Sequence, residues 1–376
     1  MMSNNIPLGL YIHIPFCLKK CSYCDFFSGV ANDDLMDKYL SALLQEIDSY
    51  ATKPALIVDT IFLGGGTPTL FGTKRLACLL DKIQSTFSVS SEAEITVEMN
   101  PATADANLLS VLRQLGVNRI SLGVQSFVDG ELKILGRVHD SQDAVEAVRL
   151  ITNAGFDNFN LDLMYAIPHQ TTGSFMHSLQ TALNFSPAHL SVYSLILEEG
   201  TDFWKRKDTL IFPDEGTELQ IYELCASKLS LSGFHHYEIS NYAQKGRECR
   251  HNLKYWTLQP YIGIGAAAHS FWSQKRFSNP SNLEQYLSNP GGSRVLFETS
   301  NQQNLSEEYL MLGLRTSQGI SVSRFNTISQ RDLFNERKAF INRCLEEEYI
   351  LINGDNLRLT EKGFYLSTAI IAEFLA

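Results

Sequence analysis

The sequence predicts an α/β fold, a partial (β/α)6-type TIM barrel followed by a small helical, winged-helix-like domain. Three observations lead there. Short apolar runs of β type alternate with amphipathic helical patterns from Leu8 to about Leu195. Polar or glycine-rich features recur where those runs end, as expected when the working loops follow the strands' C-terminal ends. After the Pro/Gly-rich stretch NPGGSRV, the pattern changes to helices followed by a hairpin.

The elements follow in order. Leu8 to Ile14 is the first apolar run, and Asp34 to Tyr50 carries Met36, Leu40, Leu43 and Ile47 at helical spacing. Leu56 to Leu63 is the second strand; the helix Lys74 to Phe87 then places Leu76, Leu79, Leu80, Ile83 and Phe87 on one face. Glu94 to Glu98 is the third strand, and the helix Asp105 to Leu115 stops at Gly116. Arg119 to Val124, a helix from Ser141 to near Gly155, and Phe159 to Met164 continue the alternation, with Leu190 to Leu195 as the sixth strand. Residues 1–290 are therefore expected to form the barrel with an extension, and 291–376 the C-terminal domain. There, Ser306 to Thr316 and Arg331 to Glu347 read as helices. Tyr349 to Ile352 and Asn356 to Leu359 flank an Asn353-Gly354 turn, and a last helix follows.

With 376 residues and 44% hydrophobic content the chain can bury a large core. Its formal charge of −10 argues against a grip on nucleic acid through phosphate neutralisation. Residues 301–376 hold 8 Lys or Arg against 10 Asp or Glu, a difference of −2, so DNA binding by the winged-helix-like part is disfavoured and a lid or docking platform is expected. The N-terminus shows neither a basic segment leading a long apolar run nor a membrane span, which predicts a cytoplasmic protein.

Seven cysteines in a reducing compartment suggest metal binding or chemistry rather than disulfides. Cys17, Cys21 and Cys24 can converge from one loop, so their thiolates can take three corners of a [4Fe-4S] cubane and leave the fourth iron open. The competing reading is a zinc knuckle or a redox pair of Cys21 and Cys24, but no second pair of zinc ligands is evident. Cys78, Cys225, Cys249 and Cys344 are scattered and read as ordinary buried or neutral thiols. GGGTPT, Gly64 to Thr69, follows the second strand and lets a ligand approach the backbone. A bare glycine-rich turn would look the same, and no Gly-Lys-Thr follows to make it a P-loop. Glu98, Gln125, Arg137 and Asp162, each unremarkable alone, suit ribose and carboxylate recognition as a set at strand ends.

These residues carry a resemblance. YIHIPFCLKKCSYCDF, GGGTPT, SLGVQSF, LGRVH, NLDLMYAIP and YIGIGAAAHS together resemble the radical S-adenosylmethionine proteins of the oxygen-independent coproporphyrinogen III oxidase group, over most of the chain. The resemblance implies cluster ligation by Cys17, Cys21 and Cys24. It also implies S-adenosylmethionine contacts from Tyr11, Tyr23, Gly65, Gly66, Thr67, Glu98, Gln125, Arg137 and Asp162. Two departures weaken an oxidase assignment. The oxidases carry a further cysteine two places after the third ligand, where this sequence has Phe26, and they begin with a longer N-terminal region than the 16 residues ahead of Cys17. HNLKYW, His251 to Trp256, is similar to a motif of the haem chaperones in the same group. An imidazole can ligate haem iron, and Tyr255 and Trp256 offer flat apolar area for a porphyrin; the competing reading is a loop packed on the core. The expectation is a haem carrier that loads acceptor haemoproteins, with coproporphyrinogen III oxidation as the alternative. S-adenosylmethionine cleavage, a homodimer and a membrane-associated haem donor or acceptor stay open.

Overall fold

The computed structural model describes residues 7–51, 56–299 and 301–376; Met1 to Ile6, part of the N-terminal segment read above, lie outside them. The six expected strands are present as β1 (Leu8–Ile14), β2 (Ile57–Gly65), β3 (Ser88–Met99), β4 (Arg119–Gln125), β5 (Phe159–Tyr165) and β6 (His189–Ser194). They pair in sequence order and in parallel, the arrangement of a partial barrel. Between them run α1 (Asp33–Asp48), α2 (Thr73–Thr86), α3 (Ala106–Gln114), α4 (Asp129–Leu135), α5 (Ser141–Asn153) and α6 (Thr172–Asn184).

Alternation within the strands decides which side chains meet the helices and which face inward. In β1, Leu8, Leu10, Ile12 and Ile14 join the main core, while Tyr11 and His13 pack towards Phe62 and Phe27. Helix starts are set by side-chain caps: Asn32 accepts from Leu35 N, Asp105 from Leu108 N, and Asp140 forms a reciprocal box with Asp143. The short α4 went unread in the sequence; it ends at Gly136, whose φ of 73° is the left-handed cap that glycine allows.

Beyond β6 the chain adds α7 (Asp202–Lys205), α8 (Glu215–Leu231), β7 (His235–Glu238), β8 (Asn241–Ala243), α9 (Arg250–Trp256), β9 (Tyr261–Ile264), β10 (His269–Trp272), β11 (Lys275–Ser278), α10 (Leu283–Ser288) and β12 (Val295–Thr299). These strands extend both ends of the barrel sheet, giving the order β12-β11-β10-β9-β1-β2-β3-β4-β5-β6-β8-β7. The expected break after residue 290 falls ahead of β12, which is still paired with β11 in this large sheet.

A second core gathers Leu310, Leu314, Ile320, Phe325, Ile341, Leu357 and Phe374, among others. It comprises α11 (Gln302–Gly313), β13 (Ile320–Ser321), α12 (Val322–Ser329), α13 (Leu333–Glu336), α14 (Lys338–Glu346), the hairpin β14 (Ile350–Asn353) and β15 (Asn356–Leu359), α15 (Glu361–Tyr365) and α16 (Ser367–Leu375). The expected helix Arg331 to Glu347 is two helices, α13 and α14, separated at Arg337. This unit touches both ends of the large sheet. Glu308 of α11 pairs with Arg276 of β11, while Ile239 N, just after β7, donates to Arg315 O at 2.9 Å.

Candidate functional site

The strand ends converge on one cavity of about 370 Å³ at the C-terminal mouth of the barrel. Its lining includes Cys17, Cys21, Cys24, Tyr23, Gly65, Gly66, Thr67, Glu98, Gln125, Arg137 and Asp162. Eleven of the twelve residues expected to bind the cluster and S-adenosylmethionine are thus brought together. Tyr11 is the exception: it is not part of the cavity wall, and its hydroxyl meets His13 Nδ1 at 3.0 Å.

The cysteine loop is held from three sides. Cys17 N donates to Gly29 O at 2.9 Å and Gly29 N to Pro15 O at 2.8 Å, which folds the loop back beside the end of β1. Ser22 N donates to Leu135 O at 3.1 Å, and Phe203 N of α7 donates to Ser22 O at 2.9 Å. The turn after α4 then delivers Arg137, whose Nη1 lies 3.5 Å from both Cys21 Sγ and Tyr23 OH, while Nη2 donates to Gly123 O at 2.6 Å. Arg137 Nε is buried with no hydrogen-bond partner among the described residues. Burial pushes the Cys17 and Cys24 thiols up, which disfavours bare thiolates and leaves them to be stabilised by a metal. Among the described residues no three His, Cys, Asp or Glu side chains are close enough to hold a single ion, so a cluster assignment rests on the spacing and shared cavity of the three thiols.

The glycines make a floor that side chains would fill. A Cβ on Gly66 would lie 2.7 Å from Phe16 O and 2.8 Å from Phe16 N, and one on Gly65 would meet the His13 ring at 2.4 Å. Gly65 also has φ of +110°, which disfavours any other residue. Its N–H donates to Glu98 Oε2 at 3.0 Å.

Two carboxylates of the site, Glu98 and Asp162, are raised by burial even with Arg119 acting on both and Arg137 on Asp162. Burial, and then the charge of Asp162, push Glu98 up to about 8; burial also raises Asp162, against a hydrogen bond of 2.6 Å from Asn160 Nδ2. A ligand bearing cationic centres, such as the ammonium and sulfonium of S-adenosylmethionine, relieves both. The residues present fit that group. Sequence reading missed Tyr193, whose hydroxyl donates to Gln125 Oε1 at 2.6 Å, and the mouth residues Ile196 and Glu198. Lying on or beyond the end of β6, they carry no motif.

Residues 11–182 match the Radical SAM superfamily and residues 301–366 the HemN C-terminal domain. A Bacillus subtilis protein named heme chaperone HemW is 37% identical over 373 residues, covering 97% of this chain and 98% of the relative. Its Lactococcus lactis namesake is 33% identical over 375 residues, covering 98% and 97%. The chain belongs to the HemW family of radical SAM proteins. Coproporphyrinogen III oxidase (HemN) from Escherichia coli shares its fold, with a TM-score of 0.87 at 24% identity over 99% of this chain and 91% of that one.

In this HemW-family chain the HNLKYW segment, expected to offer an imidazole and flat aromatic area to haem, is packed into the barrel rather than standing open. It forms α9 at the opposite end of the barrel, where the strands begin. His251 is 1% exposed, with Nδ1 2.9 Å from Thr60 Oγ1 and Nε2 2.8 Å from Tyr255 OH. Both ring nitrogens are engaged, and burial, with Lys254 and Arg119 nearby, holds the imidazole down at about 3 and so neutral. Glu94 accepts from the backbone N–H of Arg250 and of His251 at 3.0 Å, and Lys254 pairs with Asp59 at 2.8 Å. Tyr255 packs edge-on to Tyr261, and Trp256 is half-buried. His251, Lys254 and Tyr255 thus have polar partners within the barrel wall, and here the segment closes the barrel base. Of the four scattered cysteines, Cys78 is exposed, whereas Cys225, Cys249 and Cys344 are buried.

Proposed function

We propose that this chain is a haem carrier that binds haem as cargo and passes it to acceptor haemoproteins, without oxidising porphyrinogens. The observation that carries the reading is similarity along nearly the whole chain to relatives named heme chaperone HemW. Phe26 supports it: the ring stands 63% exposed at the cavity wall, where the oxidases resembling this chain carry a cysteine.

In this reading Cys17, Cys21 and Cys24 hold a [4Fe-4S] cluster. Bound there, the cluster supplies an open iron for the amino and carboxylate groups of S-adenosylmethionine, and an electron. The chain's own residues do the positioning. Glu98 and Asp162 face the cationic and ribose portions, Arg137 and Tyr23 lie against the cluster cysteines, and the glycine floor admits the ligand's backbone-hugging end. The apolar share of the wall, the buried Met99 and Met164 among it, would limit water at the reactive sulfonium. A reducing cytoplasm suits seven free thiols; among the described residues no helix is long and apolar enough to cross a membrane.

Transfer is the test. Haem-loaded protein mixed with an apo-haemoprotein should lose its Soret band as the acceptor's appears, faster than free haem partitions from a non-specific carrier such as albumin. Retention of haem in the presence of excess apo-acceptors would count against a carrier.

A further inference from the structure

A haem carrier needs a surface for its cargo, and His251 does not offer one. The chain has nine histidines. His13, His139, His189 and His251 are buried, and His235 and His236 are paired with Glu248 and Glu361. His169 and His177 are exposed, but among the described residues no aromatic ring lies against either.

His269, on β10, is different. It is exposed, its ring is stacked on Phe297 at 5.5 Å between centroids and 11° between planes, and its ring nitrogens have no hydrogen-bond partner among the described residues. The row His269, Ser278, Val295 runs directly across β10, β11 and β12, and a bulge in β12 leaves Phe297 unpaired in the ladder, with its ring against that of His269. Phe297 is 58% exposed and Val295 47%, on the outermost strand of the sheet. Three consecutive exposed apolar residues on a free edge strand are an aggregation hazard unless something covers them. A flat apolar ligand whose metal takes a neutral imidazole nitrogen matches the face in shape and in chemistry.

We infer that this face of β10 and β12 is the haem-docking surface, with His269 as an axial ligand and Phe297, whose ring lies parallel to the imidazole, flanking it with Val295 against the macrocycle. The inference rests on the haem-carrier reading and names the site for it. Partial burial, and then the charge of Arg276, hold the His269 imidazole below its ordinary range, so its lone pair is free at neutral pH. A peptide strand or a second copy added to β12 would use the backbone edge and leave the imidazole without a role, so haem is the occupant the stacked ring favours.

The experiment is an equilibrium haem titration of the full chain followed by Soret absorption, comparing wild type with His269→Ala, Phe297→Ser and His251→Ala. At saturating stoichiometry, His269→Ala is expected to weaken binding at least tenfold and to change the Soret position, with added imidazole restoring the spectrum. Phe297→Ser should weaken binding several-fold while keeping the spectrum. All three residues act independently of the cluster, and the first two are exposed, so their melting temperatures should match wild type. Wild-type binding with His269→Ala unchanged in affinity and spectrum overturns the inference and leaves the carrier reading standing. A wild type that takes up no haem overturns both. Unchanged haem binding in His269→Ala and Phe297→Ser together with loss of a wild-type dimer would assign the face to a second copy instead, and also overturns it.

Discussion

At the residue scale, the site joins groups that are costly alone and compensated together. Three thiols, two of them raised by burial, and two carboxylates raised by burial in the same way share one cavity. Cys24→Ala should leave anaerobically reconstituted protein with little bound iron and sulfide, and full retention in metal analysis would refute the cysteine assignment. Asp162→Asn removes one of the two carboxylates; binding of S-adenosylmethionine, measured calorimetrically on reconstituted protein, should weaken about tenfold, near 1.4 kcal/mol. His251→Ala makes a contrasting case. It strands the hydroxyls of Thr60 and Tyr255 inside the barrel and should lower stability by roughly 2–4 kcal/mol in denaturant unfolding, and an unchanged midpoint would contradict the structural role given to it here. The cysteine triad was legible because its members lie within eight positions of one another. The fate of His251 was not, because its partner Thr60 is 191 positions away and no local pattern reports the pairing.

At the element scale, the loop after β2 is where a single methyl group tests the geometry. Gly66→Ala places a Cβ against the Phe16 backbone, which has no flexible end to move aside, so the loop must shift. The expected result is loss of S-adenosylmethionine binding with a lowered melting temperature; normal binding would show that the floor does not hold the ligand. All six barrel strands were readable because each is an apolar run flanked by an amphipathic helix, a long-period signal that survives uncertain boundaries. The strands β7 to β12 were not, being three to five residues long with mixed exposure on their faces. The HNLKYW segment looked like an exposed aromatic loop because the groups that bury it, Glu94, Thr60 and Asp59, belong to strands far away in sequence.

At the scale of the whole molecule, the C-terminal unit closes the gap between the two ends of an open sheet, and one buried carboxylate sits at that junction. Glu238, 1% exposed at the end of β7, bridges to Thr316 and has Oε1 without a hydrogen-bond partner among the described residues. Burial pushes it up from its ordinary 4.5 to about 7. Because the folded pKa is raised, the folded state holds the proton between those values, so this stabilisation is present at low pH and is lost as pH rises through about 7. Glu238→Gln should therefore flatten the fall in stability between about pH 4.5 and 7, by roughly 3 kcal/mol at most, as read from urea midpoints at each pH. Superimposable profiles would show that another group sets the junction's pH response. The acidic balance of this unit, legible in the sequence, argued against a phosphate-binding role, but its contacts with both sheet ends are a matter of tertiary geometry. The fold is also shared with an oxidase, so fold alone does not decide between carrying haem and making its precursor. That choice is tested most directly by incubating the reconstituted protein anaerobically with reductant, S-adenosylmethionine and coproporphyrinogen III. A haem carrier with Phe26 at its cavity wall should form no protoporphyrinogen while still binding haem, and sustained turnover to protoporphyrinogen would contradict it.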